Sequence, residues 1–248
     1  MKFLEVEGWK DNGITVHGFG TREKAWEKAS KQNWWGQPIR VGEEVFPLIS
    51  IHQVHGDGVV VFEGEPAKPE NVWSQDGDAL VTRVRGYALG VLTADCLPIL
   101  LFDPVRMVVG IVHTGWRGTA NAICQKTLKE MAETFDIIIE NVLAAMGPCI
   151  GPCCYEVDDP VKEAFAGNGL PWDLMSSPRG RGRWSLDLHQ ANKFLLERLG
   201  VRKENIHCME LCTSCHNDLF YSYRAEGGNV GRQLNFIALR KRSLDSGQ

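Results

Sequence analysis

The sequence predicts a mixed α/β fold, arranged as a single layered domain in which a mixed β-sheet is flanked by helices. Three observations carry this reading. Short apolar runs bounded by turn residues recur along the whole chain. Two longer segments repeat their apolar residues at helical rather than alternating spacing. Strands and helices are interleaved, and strands are the more numerous. Hydrophobic residues make up 44% and charged residues 23% of the 248, enough apolar material for a sizeable core and too much for disorder over most of the chain. No Ser/Pro/Gly-rich linker divides the sequence, so residues 1–248 are read as one domain.

In chain order, residues 14–19, 45–51, 59–62 and 79–82 read as strands, followed closely by 87–92, 97–102 and 107–113. Later strands are expected at 141–146, 206–211 and 234–239. One helix is marked by Ala120, Cys124, Leu128, Met131 and Phe135, which step by 4, 4, 3 and 4 along a single face. A second is marked by Leu188, Ala191, Leu195 and Leu199, with Asp187 as its N-cap and Gly200 as its stop signal. Shorter helices are expected at 23–31 and 160–166, and 176–183 (SSPRGRGR) reads as a solvated basic loop.

The 27 basic and 31 acidic residues leave a net charge of −4, which argues against nucleic-acid binding driven by overall charge. No uncharged apolar run approaches the ~20 residues that cross a bilayer. The first residues, MKFLEVE, lack the apolar stretch of a secretory signal, so a cytoplasmic location is expected. The eight cysteines are then thiols or metal ligands rather than disulfides. Cys212-Thr213-Ser214-Cys215-His216 matches the haem-attachment pattern, which belongs to exported proteins and is rejected here. As half of a zinc site it lacks a second C-x-x-C, so Cys212 and Cys215 read as buried or loop thiols near a pocket.

The strands at 97–102 and 107–113 flank Asp103-Pro104-Val105-Arg106, a sequence suited to a type I turn. With these four residues as the loop, Cys96 and His113 stand directly opposite, with Cβ atoms roughly 4.5–5.5 Å apart. A thiolate and an imidazole so placed can share a metal ion, although a histidine closing an apolar strand is, taken alone, more often a satisfied core residue. A third ligand would come from His17, His52, His55, His189, His207 or His216, and spacing alone does not choose among them.

QVHG (53–56), DALVT (78–82), TADCLPILL (93–101), HTGWRG (113–118), GPCIGPCCYEV (147–157) and CTSCHNDLFYSYR through GGNVGRQ (212–233) resemble the bacterial laccase-domain family. That family, long labelled multicopper polyphenol oxidoreductase, comprises zinc-dependent purine nucleoside phosphorylases with adenosine deaminase activity. The resemblance runs from Gly18-Phe19-Gly20-Thr21-Arg22 to the last strand. It implies a fold like that of toxin-type cysteine hydrolases and a metal held by His55, Cys96 and His113. The implied cofactor is Zn2+, with copper as a substitute. The implied partners are purine nucleosides (adenosine, inosine, with methylthioadenosine left open) and phosphate, with no nucleic acid or membrane. Monomer and homodimer both stay open. Cys149 departs from the pattern and adds a thiol without an assigned role.

Phosphorolysis needs an anion site. A surface arginine is more often solvated or paired, but with the resemblance Arg22, after a Gly-Phe-Gly-Thr turn, is favoured; Arg117, before a helix N-terminus, and Arg232 are further candidates. Deamination needs a proton carrier, and Asp95, beside Cys96, is nearest in sequence, although a hydrogen-bonding role at a strand end suits it equally. The H-x-E…P-C-x-x-C signature of known zinc deaminases is absent from the sequence. Three rivals are a metal-free cysteine hydrolase built on Cys96 and His113, a copper-dependent polyphenol oxidase, and a binding protein whose zinc site is structural. The second is disfavoured by seven histidines with no H-x-H pattern.

Overall fold

The computed structural model describes residues 3–10, 13–22, 37–64, 72–228 and 230–241. The helix expected at 23–31 lies outside them. The strands are β1 (Phe3–Leu4), β2 (Thr15–Gly20), β3 (Ile39–Val41), β4 (Glu44–Phe46), β5 (Leu48–Ile49), β6 (Val59–Val61), β7 (Ala79–Thr82) and β8 (Ala88–Thr93). They continue with β9 (Leu97–Asp103), β10 (Val108–Thr114), β11 (Leu143–Met146), β12 (Glu156–Val157), β13 (Ser176–Gly180), β14 (Arg183–Leu186), β15 (Ile206–Cys208) and β16 (Gln233–Leu239). The helices are α1 (Glu7–Lys10), α2 (Trp116–Ala120), α3 (Ile123–Phe135), α4 (Asp159–Gly167), α5 (Trp172–Met175), α6 (Leu188–Leu199) and α7 (Tyr223–Glu226).

Two mixed sheets form the centre. One has the order β1-β2-β16-β8-β5, the other β15-β11-β9-β10-β7-β6. Each is antiparallel except at edges, where β5 runs parallel to β8, β6 to β7 and β15 to β11. Strand alternation sorts side chains into separate cores. From the six-stranded sheet, Leu80, Leu100, Phe102, Val109 and Ile111 face Phe19, Ile49, Leu89, Val91 and Ile237 of the other sheet. Their neighbours Val81, Ile99, Leu101, Val108 and Val112 point the other way, onto Leu128 and Met131 of α3 and Leu195 and Leu196 of α6. The outer face of the five-stranded sheet is covered by Ile39 and Phe46 of the β3–β4 hairpin. The central strands are buried on both faces, which is why they read as near-continuous apolar runs.

Four local expectations change. Residues 45–51 form two short strands, because Pro47 cannot donate to a ladder; β4 pairs with β3 while β5 joins β8. The helical face from Ala120 to Phe135 is buried as expected, but it is shared by α2 and α3, which Ala122 separates with a left-handed backbone at φ 56°. Residues 176–183 are not a loop: β13 and β14 pair as a hairpin with an exposed tip, turned by Gly180, Arg181 and Gly182, all at positive φ. The strand expected over 206–211 is limited to β15. Helix α6 is bounded as expected, with Asp187 accepting from the Gln190 N–H at 3.0 Å and Gly200 left-handed at φ 114°.

Candidate metal centre

Strand β10 ends in the site. Val112 pairs with Ala79, so His113 and Asp78 are neighbours at one end of the six-stranded sheet, and the His113 N–H donates to the Asp78 carbonyl at 2.7 Å. Their side chains meet as well: His113 Nδ1 lies 2.7 Å from Asp78 Oδ1, and the two side chains are 3% and 0% exposed. A carboxylate acceptor fixes the proton on Nδ1 and leaves Nε2 for a ligand role.

Cys96 reaches His113 by a different register from the one expected. β9 runs through Asp103, which pairs with Val108, so His113 pairs with Pro98 and Cys96 lies just before the strand. Asp103 itself shifts the turn. Its Oδ1 accepts from the N–H groups of Val105 (2.7 Å) and Arg106 (2.9 Å), and the reversal is completed by Met107 at φ 55°. The displacement is two residues, and an even shift keeps a side chain on the same face. Cys96 therefore still joins His113. Gly115 allows the approach, since a Cβ there would stand 3.0 Å from Cys96 Sγ.

His55 arrives on a loop held by two devices. The Gln53 amide pairs with the backbone of Leu92 through Nε2 (2.9 Å) and Oε1 (2.8 Å), as a neighbouring strand would. The N–H groups of Val54, His55 and Gly56 donate to Asp78 at 3.3, 3.1 and 2.6 Å, with His55 left-handed at φ 59°. Asp78 thus fixes both histidines, one through its ring and one through its backbone.

The ligand atoms of His55, Cys96 and His113 lie within 4.8 Å of one another, with His113 buried, Cys96 half-buried and His55 exposed. The histidine rings meet edge to face at 4.8 Å. Burial alone would raise the Cys96 thiol, but the His113 charge and hydrogen bonds from both histidines outweigh it and bring the thiol down to about 6. Burial would lower His113; the Cys96 charge and the Asp78 hydrogen bond outweigh that and raise it to about 9. Two histidines and a cysteine thiolate make a donor set suited to a borderline-soft metal ion, which would have to displace the proton that Cys96 and Asp78 hold on His113.

Four of the five rival histidines are engaged elsewhere. His17 accepts from the Val6 N–H at 2.9 Å, and burial lowers it to about 4. His189 lies 2.9 Å from the Gly147 carbonyl, and exposed His52 is 2.7 Å from Asp76. His207 stands edge-on to Trp9.

Asp95 precedes the thiol at φ 86° and is 8% exposed. Its Oδ1 accepts from Thr213 Oγ1 at 2.6 Å and its Oδ2 from the Arg224 N–H at 2.7 Å, so the carboxylate holds the turn that presents Cys96. Arg22 pairs with Glu226, on the same α7 turn as Arg224, and lies over the Tyr221 ring at 4.7 Å. Arg117 is exposed and stacks on Trp116 at 4.2 Å, and Arg232 is exposed just before β16. Of the three arginines, Arg22 alone is tied by these contacts to the loops around Asp95. Cys149 is fully buried, burial pushes its thiol up, and its Sγ lies 3.5 Å from His189 Nδ1. Asp78, Gln53 and Tyr155 were missed as individual residues. Burial raises the Tyr155 phenol, the Cys96 and Asp95 charges add to this, and the ring lies under Arg224.

A family model described as multi-copper polyphenol oxidoreductase laccase matches residues 29–240. Purine nucleoside phosphorylase YlmD of Geobacillus stearothermophilus is 39% identical over 79% of this chain and 74% of its own length. The crystal structure of YlmD from that organism superposes with a TM-score of 0.77 at 30% identity, covering 92% of each chain. Adenosine deaminase RL5, from an unknown prokaryotic organism, is 34% identical over 80% of this chain and 78% of its own. Purine nucleoside phosphorylase YlmD of Bacillus subtilis is 32% identical over 72% of this chain, and the match spans 64% of that protein's length.

Proposed function

We propose, on the premise that this chain belongs to the multi-copper polyphenol oxidoreductase laccase family, that it is a purine nucleoside phosphorylase with accompanying adenosine deaminase activity. In phosphorolysis of adenosine or inosine, a phosphate oxygen bonds to C1′ as the bond from C1′ to N9 breaks. The purine takes up a proton, giving free base and ribose 1-phosphate. In deamination, water replaces the 6-amino group of adenosine, giving inosine and ammonia.

The observation that carries this reading is the convergence of His55, Cys96 and His113 around one buried carboxylate, in a chain 39% identical to a protein named for phosphorolysis. His55, Cys96 and His113 would hold Zn2+, three protein ligands leaving a fourth position open. A zinc ion held there supplies Lewis acidity at neutral pH. The protein's own residues bind and orient. Asp78 keeps His113 in one tautomer and His55 in place. Asp95 positions Cys96, and would have to release Thr213 or Arg224 to carry a proton. Arg22 is the first candidate for phosphate, which would compete with Glu226 for its guanidinium. Arg117 and Arg232 are exposed cations available to an incoming anion. We place the reaction in the cytoplasm with small-molecule partners; no helix of the described residues is long and apolar enough to cross a membrane.

The Cys96–His113 pair would also suit a metal-free cysteine hydrolase. His55, a third ligand atom on the same cluster, favours the metal reading. Chromatography of inosine incubated with metal-replete protein tests the proposal. Hypoxanthine and ribose 1-phosphate appearing only with phosphate are expected. Absence of product from both inosine and adenosine would overturn it.

A further inference from the structure

We propose that Cys153, Cys154, Cys212 and Cys215 form a second metal site, a tetrathiolate holding one structural zinc ion. Their four sulfurs lie within 4.8 Å of one another, and all four are free thiols. Cys215 Sγ is 3.5 Å from Cys153 Sγ and 3.4 Å from Cys154 Sγ. Zn–S bonds of about 2.3 Å in a tetrahedron require sulfurs about 3.8 Å apart. The cluster is therefore the size of a site for one ion, and it leaves no space for the bridging sulfides of an iron–sulfur centre.

The backbone around the thiols is built for this approach. Cys154 and Tyr155 donate to the Gly151 carbonyl at 3.0 and 2.9 Å, turning the first pair of sulfurs inward. His216 donates to the Cys212 carbonyl at 3.0 Å, closing the C-x-x-C turn. The Gly151 N–H donates to Cys212 Sγ at 3.2 Å, the kind of contact that supports a ligating thiolate. A Cβ on Gly151 would stand 3.2 Å from Cys212 Cβ and 3.3 Å from Cys153 Sγ, tighter than most side chains pack. The C-x-x-C half-site that lacked a partner in the sequence thus finds one in the adjacent cysteines of GPCCYEV.

Such an ion would join the loop after β11 to the loop after β15, beside the first site and not within it. Thr213, inside the C-x-x-C turn, donates to Asp95. Arg224 donates to the carbonyls of Cys154 and Glu156, both at 3.1 Å, while its backbone donates to the other Asp95 oxygen. Asp95 is the turn that presents Cys96. The tetrathiolate is therefore placed to position a ligand of the first site without touching substrate.

The test is metal analysis of the full chain purified under reducing conditions. About two equivalents of zinc per chain are expected in the parent protein, and about one in a His55→Ala/His113→Ala variant. Cobalt(II) loaded into that variant should give the intense charge-transfer and ligand-field bands of four thiolates. A Cys153→Ser/Cys215→Ser variant removes the two exposed thiols and should lose about one equivalent while keeping the other. X-ray absorption of the parent protein, expected to show a sulfur-dominated zinc shell near 2.3 Å, keeps the test decisive if a variant fails to fold. No metal in the histidine variant, a nitrogen-dominated shell in the parent, or a disulfide among these four cysteines in place of the ion would overturn the proposal. Because this site is read in a protein lacking the first, its failure is distinguishable from failure of the nucleoside chemistry.

Discussion

Asp78 does more to define the site than any of the three side chains clustered there. It is 0% exposed and accepts from His113 Nδ1 and from three successive N–H groups of the His55 loop. Burial would raise its carboxyl, but the His113 hydrogen bond and charge, with the N–H groups of Gly56 and His55, hold it below the usual range. Asp78→Asn keeps the shape and exchanges the anion for a neutral amide that disfavours the productive tautomer. Metal affinity, measured by chelator competition, is expected to fall about 10–100-fold; unchanged affinity would show that the contact is only structural. Cys96 and His113 were legible from strand parity, which survives a two-residue error in register. Asp78 was not, because a lone aspartate before an apolar run reads as a turn residue. His55 was indistinguishable by spacing from five other histidines, and the resemblance selected it.

Elements were legible where one local signal dominates. Helix α6 has an apolar face of strict period, a capping aspartate and a terminal glycine, and all three act as expected. Asp187→Ala removes the cap from Gln190 and should cost about 1 kcal/mol. For a chain of this size the melting temperature should fall by roughly 2–4 °C, and an unchanged value would mean that packing alone sets the helix start. Elements defined by partners rather than by local sequence were not legible. The 176–186 hairpin is polar and glycine-rich, and its second strand β14 also pairs with β12. Periodicity continues across Ala122 because the core beneath α2 and α3 is continuous, so the break leaves no mark on the pattern. The four-cysteine cluster joins residues far apart in sequence, and spacing showed only half of it.

At the scale of the whole molecule, two sheets and a helical layer bring distant loops to one end, where the six-stranded sheet meets its partner. Burial at the same interface sets a pH limit. His17 is buried and neutral, accepting from Val6, and its folded pKa is about 4 against 6.5 when unfolded. The unfolded chain therefore binds the extra proton between those values. The stabilisation is complete above pH 6.5 and is lost as pH falls toward 4, by at most about 3 kcal/mol. His17→Gln should show a shallower loss of melting temperature between pH 7 and 4; an unchanged slope would assign acid sensitivity to other groups. If the His/Cys/His cluster holds the metal on which nucleoside phosphorolysis depends, Cys96→Ala removes both together. Zinc content and phosphate-dependent release of hypoxanthine from inosine would be measured on one preparation, beside the parent protein. The expected result is loss of zinc from this site together with loss of hypoxanthine release. Loss of the zinc with full activity retained would show that phosphorolysis does not depend on a metal in this cluster.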